Sequence, residues 1–192
     1  MCKFNCKSCK KGQPHYCKHC GKLDVHFSSN CPKKKKKKSS HGIFINRSFK
    51  KGKIKEPCIL LIREKRGKYA GQLNMPGGQI DRVYGSRNTL EKEADEEFGV
   101  SLGNMVRRAR SPKHLKLNND KTNLYLIELP KGFSRIGYNP TQYPSETSGA
   151  AWVPVSYLKT GHNVWANTDG IIDTVSSFTL KVVKLMSRKG WI

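Results

Sequence analysis

Hydrophobic positions in this chain fall into a few short blocks set among long polar and basic stretches. Cys58-Ile59-Leu60-Leu61-Ile62 is a continuous apolar run of strand length, and residues 123–129 read as a second strand. Between them the period changes. Leu90, Ala94 and Phe98 stand four apart, the spacing of an apolar stripe on a helix. The same helix carries Glu93, Glu96 and Glu97 at i, i+3 and i+4, so three carboxylates share the neighbouring face. Like charges at that spacing repel, and the arrangement makes sense with a cation among them. From about 171–187, Ile172, Val175, Phe178, Leu180 and Val183 recur at helix-like spacing and predict a C-terminal helix.

Length and composition narrow the picture. The chain has 192 residues, enough for one domain of about 150 residues with an appendage. A 36% hydrophobic fraction suffices for a core. No apolar run approaches the ~18 residues of a membrane span, and Met1-Cys2-Lys3-Phe4-Asn5-Cys6 lacks the apolar core of a signal peptide. The expectation is an intracellular, cytoplasmic protein, with its cysteines serving as thiolate ligands rather than disulfides.

Charge adds a partner. Lys and Arg number 37 against 14 acids, a formal net charge of +23, and the first 38 residues contribute 12 lysines and a single acid, Asp24. The excess therefore extends over the whole chain and favours a polyanion, chiefly nucleic acid, through counterion release. Lys33 to Lys38 form an unbroken run, followed by Ser39-Ser40, and read as a solvated linker over 33–40 that can also serve as a nuclear-localisation signal. Arg107, Arg108 and Arg110, with Lys113, Lys116 and Lys121, form a basic cluster beside the acidic helix. It is either a grip for RNA or polyphosphate, or a solvated strand edge.

Acids are scarce, yet five of the 14 (Glu91, Glu93, Asp95, Glu96, Glu97) lie within seven residues behind Pro76-Gly77-Gly78. The stretch 78–100 resembles the Nudix box, in which a Gly leads through a loop to a helix bearing Glu, Glu-Glu and a closing Gly-aliphatic pair. Gly78, Glu93, Ala94, Glu96, Glu97, Gly99 and Val100 fit at the right spacing; Tyr84 stands where the pattern has its first Glu, and Lys92 where it has Arg. Those two positions brace the loop in the family, so both are lost together. Lys92 lacks the guanidinium fork, although Tyr84 can offer it a ring face. The approach Gly71-Gln72-Leu73-Asn74-Met75-Pro76-Gly77-Gly78 and the later Ala151-Trp152-Val153-Pro154-Val155 extend the resemblance to about 41–192. It implies an α/β fold, the Nudix α/β/α sandwich with a mixed sheet between helices. It also implies a Mg²⁺- or Mn²⁺-dependent hydrolase cleaving a phosphoanhydride bond. Glu93 and Glu97 would ligate the metal with the Gly78 carbonyl, Glu96 would be a further ligand or the base, and Glu146 an additional metal-binding Glu. Cys58, inside an apolar run, reads as core rather than nucleophile, and His41, His114 and His162 as ordinary histidines.

The head, residues 1–32, holds six of the seven cysteines. Cys17, Cys20, His26 and Cys31 approach zinc-knuckle spacing with a middle gap one residue longer, and Gly21 permits the tight turn that converging ligands need. Cys2, Cys6, Cys9 and His15 can supply a second Zn²⁺ set; alternatively Cys6 and Cys9 join Cys17 and Cys20 as a short ribbon. Thirty residues without a staple build no core. Tyr16 and Phe27 flank these ligands and can stack on bases.

A phosphoanhydride box joined to a zinc head and a basic surface leads to the expectation of a hydrolase acting on the 5′ end of RNA, in mRNA decapping. A capped nucleoside diphosphate would leave and 5′-monophosphate RNA would remain. The alternatives are a hydrolase of nucleoside triphosphates, dinucleotide cofactors or diphosphoinositol polyphosphates, and a non-catalytic RNA-binding adaptor.

Overall fold

A computed structural model describes residues 37–52, 54–80, 85–118, 121–133, 147–166 and 171–192. The cysteine-rich head with its zinc ligands, Tyr16 and Phe27, together with Tyr84 and Glu146, lies outside the described residues. Lys38–Ile192 forms one unit.

The chain begins its sheet with β1 (Ser39–Asn46), β2 (Cys58–Glu64), β3 (Gln72–Asn74) and β4 (Gly77–Gln79). Two helices follow, α1 (Ser86–Phe98) and α2 (Val100–Arg108), then β5 (Lys113–Leu117), β6 (Thr122–Glu128) and β7 (Thr147–Pro154). The last elements are α3 (Val155–Thr160), β8 (Val164–Ala166), β9 (Ile172–Val175) and α4 (Ser177–Arg188). The sheet order is β5-β6-β1-β2-β3-β9-β8, with β4 also on β1 and β7 also on β2. Pairings β1–β6 and β3–β9 are parallel and the others antiparallel, so the sheet is mixed.

Alternation along the central strands makes the layers. Ile43 and Ile45 of β1, Ile59 and Leu61 of β2, and Leu124 and Leu126 of β6 face one core with Leu158 of α3 and Val182, Val183 and Met186 of α4. Phe44, Leu60, Ile62 and Ile127 face the other, with Leu90, Ala94 and Phe98 of α1 and Leu102 and Val106 of α2. Successive strand residues point to opposite faces, so a sheet buried on both sides needs this continuous apolar character. Helices therefore cover both faces, as an α/β/α sandwich requires. The stripe of α1 is fully buried, and Leu90 and Phe98 contribute about 1.5–3 kcal/mol each.

Two boundaries differ from the sequence expectation. Ser39 and Ser40 belong to β1, pairing with Gln79 and Gly78 of β4 and with Thr122 and Asn123 of β6, so the folded unit starts inside the segment read as linker. The predicted helix over 171–187 begins only at Ser177. Residues 172–175 form β9 instead, because β-branched Ile172, Thr174 and Val175 favour extended backbone and Ser176 caps the helix, its Oγ accepting the Thr179 N–H at 3.1 Å.

Candidate active site

The turn Pro76-Gly77-Gly78 delivers the chain from β3 to β4 against the start of β1. Gly42 N–H donates to the Pro76 carbonyl at 2.9 Å, and Ile80 N–H to the Lys38 carbonyl at 2.9 Å. Gly77 has φ 138°, a backbone state that favours glycine, and a side chain there would strike the Ser40 carbonyl and His41. Gly78 is needed for a different reason. A methyl group on its Cα would overlap the carboxylate of Glu93, whose more distant oxygen would lie only 2.8 Å from it. The acid from the middle of α1 thus rests directly on the glycine turn.

The other two acids take separate environments. Glu97 is buried, with 8% of its surface exposed, while Glu96 is paired along the helix with the Lys92 ammonium at 3.4 Å. Lys92, which replaces the arginine of the box, thus has a carboxylate neighbour on its own helix. Among the described residues, no three His, Cys, Asp or Glu side chains close into a metal cage. The three glutamates share a helix face, as their spacing dictates, without meeting at one point. Asp95 and Glu91 belong to the α1–α2 packing instead. Asp95 sits against Gly103, and burial, then Glu91, hold its carboxyl above the ordinary range against Arg107 and the Gly103 backbone.

The basic cluster is divided. Arg107 binds Glu91, its Nε at 2.7 Å from Oε1, whereas Arg108, Arg110, Lys113 and Lys116 are exposed. Arg87 caps the end of α2 with guanidinium bonds to the carbonyls of Val106 at 2.7 Å and Arg107 at 3.1 Å. That fixes α2 against α1 and satisfies carbonyls left open at the helix end.

The remaining sequence candidates resolve into packing. Cys58 is wholly buried, and desolvation followed by Glu56 pushes its thiol up to about 12, so it is no nucleophile. Trp152 packs against Phe49 at 4.9 Å, and Trp165 against Tyr157 at 4.8 Å. His114 stacks on Tyr125 at 4.5 Å and pairs with Asn123 at 3.1 Å. His41, read as ordinary, is not. It pairs in register with Gly77, meets Phe178 edge-on at 5.3 Å, and is held down at about 4 by burial, which a backbone hydrogen bond with Met75 only partly opposes. It lines a cavity of about 390 Å³ with Glu64, Tyr69, Asn74 and Phe178. Sequence reasoning missed this cavity, because its residues come from five separate segments with no local spacing to join them.

No protein-family model matches the sequence. Nor does any curated protein. Solved structures do. The NUDIX domain of Shewanella oneidensis NrtR, complexed with ADP ribose, superposes with a TM-score of 0.51 at 13% identity, over 84% of this chain and 94% of that one. The MutT protein from Methanosarcina mazei Go1 gives a TM-score of 0.50 at 15% identity, over 79% and 93%.

The chain has the Nudix fold.

A bifunctional NMN adenylyltransferase/ADP ribose pyrophosphatase from Francisella tularensis, complexed with AMP and a manganese ion, gives a TM-score of 0.56 at 12% identity. This chain matches it over 84% of its own length and 44% of that one. Within the Nudix fold, the glycine turn of β4 and the acids of α1 occupy adjoining positions, and Gly78 with Glu93 is the contact that joins them.

Proposed function

We propose that the protein is a divalent-metal-dependent Nudix pyrophosphohydrolase that opens a phosphoanhydride bond, with the 5′ end of RNA as its substrate. The observation that carries this reading is the Glu93 carboxylate seated on Gly78, where any larger residue would displace it. Hard carboxylate and carbonyl oxygens at a glycine cradle suit Mg²⁺ or Mn²⁺. Mg²⁺ needs only one or two protein carboxylates, since waters and substrate phosphates complete its shell. Glu93, Glu97 and the Gly78 carbonyl would hold it. Bound there, the ion would neutralise phosphate oxygens and lower the pKa of a water.

The chain's own groups supply the rest. Glu96 is the more accessible acid and takes the proton of the attacking water as the oxygen adds to phosphorus and the bridging P–O bond breaks. Lys92 beside it balances the local negative charge. Exposed Arg108, Arg110, Lys113 and Lys116 offer phosphate contacts next to the site, in keeping with the net charge of +23. In this reading the cysteine-rich head binds Zn²⁺ and grips single-stranded RNA.

Cap-labelled RNA incubated with the full chain tests it. The expected product is a capped nucleoside diphosphate, lost on adding a chelator and reduced at least about 100-fold in Glu97→Gln. A smaller, non-RNA substrate is favoured by the ADP ribose bound to the NrtR domain. Turnover of ADP-ribose at a higher kcat/KM than capped RNA would establish that second reading.

A further inference from the structure

On the α4 side of the sheet, buried polar side chains are spent on orienting one carboxylate. Ser176 and Thr179 hydroxyls donate to Asn74 Oδ1 at 2.8 and 3.1 Å, and Asn74 Nδ2 donates to Glu64 Oε1 at 2.9 Å. Asn74, Ser176 and Thr179 are all buried. With its oxygen engaged inward by two donors, the Asn74 amide has one orientation, and its NH₂ must face Glu64. Glu64 is thereby held at the wall of the cavity of about 390 Å³, a size within the range of small-ligand sites. Tyr69 and Phe178 form another wall, their rings parallel within 12° and 6.4 Å apart. Arg66 and Lys68 also line the cavity.

We propose that this cavity takes the nucleobase of the substrate and that Glu64 selects guanine. Flat aromatic walls accept any base by stacking, so they give affinity without choice. The choice comes from the carboxylate, which only accepts hydrogen bonds and offers about four positions for them, of which Asn74 takes one. Guanine presents two adjacent N–H donors, N1–H and the 2-amino group, that meet a carboxylate side by side. Adenine and cytosine set a donor beside an acceptor, whose lone pair would face the carboxylate. Uracil flanks its single N–H with carbonyl oxygens. The cavity also adjoins the candidate reaction site: His41 on its wall pairs with Gly77, one residue from the glycine on which Glu93 rests. The inference rests on the hydrolase reading only for what becomes of the phosphates; base selection stands or falls separately.

Binding to the full-length protein is measured by calorimetry with GMP, IMP and AMP, which contain no anhydride to cleave. GMP should bind at least about tenfold tighter than AMP, the discrimination of a good bidentate base contact. IMP, lacking the 2-amino group, should fall between them. Glu64→Gln, which replaces one acceptor by a donor, should bring the GMP to AMP ratio close to one. Equal affinities in the native protein, no GMP binding at millimolar concentration, or an unchanged ratio in Glu64→Gln would each overturn the proposal. A guanine preference without chelator-sensitive cleavage of capped RNA would leave the base site standing and remove the hydrolase. Cleavage indifferent to the base would do the reverse.

Discussion

Gly78→Ala puts the site's central contact to the test. The backbone at Gly78 lies outside the left-handed region, so alanine meets no conformational penalty, and the entire effect comes from the new methyl group. Even the more distant Glu93 oxygen would be 2.8 Å from that carbon, and the nearer one closer still. Restoring ordinary van der Waals contact of about 3.5 Å requires the carboxylate to withdraw by roughly 1 Å. A displacement of that size costs about 100-fold in rate, or about 2.7 kcal/mol of transition-state stabilisation. Stability should change less, by about 1–2 kcal/mol, because α1 keeps its buried stripe and only one side chain has to move. The assay is kcat/KM on capped RNA at several Mg²⁺ concentrations, with urea denaturation in parallel. The metal requirement should rise as the rate falls. Glu93→Ala alone should cost a similar factor, and the double variant Gly78→Ala/Glu93→Ala little more than Glu93→Ala, since both changes damage one contact. A folded Gly78→Ala protein with native kcat/KM, or two variants whose losses simply multiply, would refute the placement of Glu93 on Gly78.

Three further outcomes follow from other contacts. His41 is held neutral by burial, with its imidazole at about 4 rather than 6.5, so the unfolded chain binds the extra proton between those values. Its contribution to stability is complete above pH 6.5 and lost as pH falls towards 4, at up to about 1.4 kcal/mol per pH unit; His41→Gln should flatten that slope in urea titrations. Ser176→Ala removes both the cap of α4 and a donor to Asn74, and should lower unfolding free energy by about 2 kcal/mol in urea. Cys58, with its thiol raised to about 12, should resist iodoacetamide at pH 8.5 in the native state and react only in denaturant, as mass spectrometry would record.

What could be read in advance was what lies close along the chain. The acids of α1, its stripe of Leu90, Ala94 and Phe98, and the adjoining glycine turn sit within about two dozen residues, where helical period alone places side chains. The strands at Cys58 and Asn123 were legible from apolar runs. β1 was not, because its first residues continue a polar lysine-serine stretch and its pairing with β6 joins positions 83 residues apart. The start of α4 misled because Ile172 and Val175 suit either period, and only the Ser176 cap decides between them. The Glu64–Asn74–Ser176 chain was invisible for a plainer reason: Asn74 and Ser176 are 102 residues apart.

The ladder at the beginning of β1 also decides where this protein can be trimmed. Lys38 and Ser40 hold Ile80 and Gly78 through main-chain bonds, while the same edge anchors Thr122 and Asn123. A protease nick just after Ser40, or an engineered start at His41, would cut the moorings of the glycine turn together with the lysines. Loss of activity in so short a fragment would then speak of a loosened turn, and not of a missing grip on RNA.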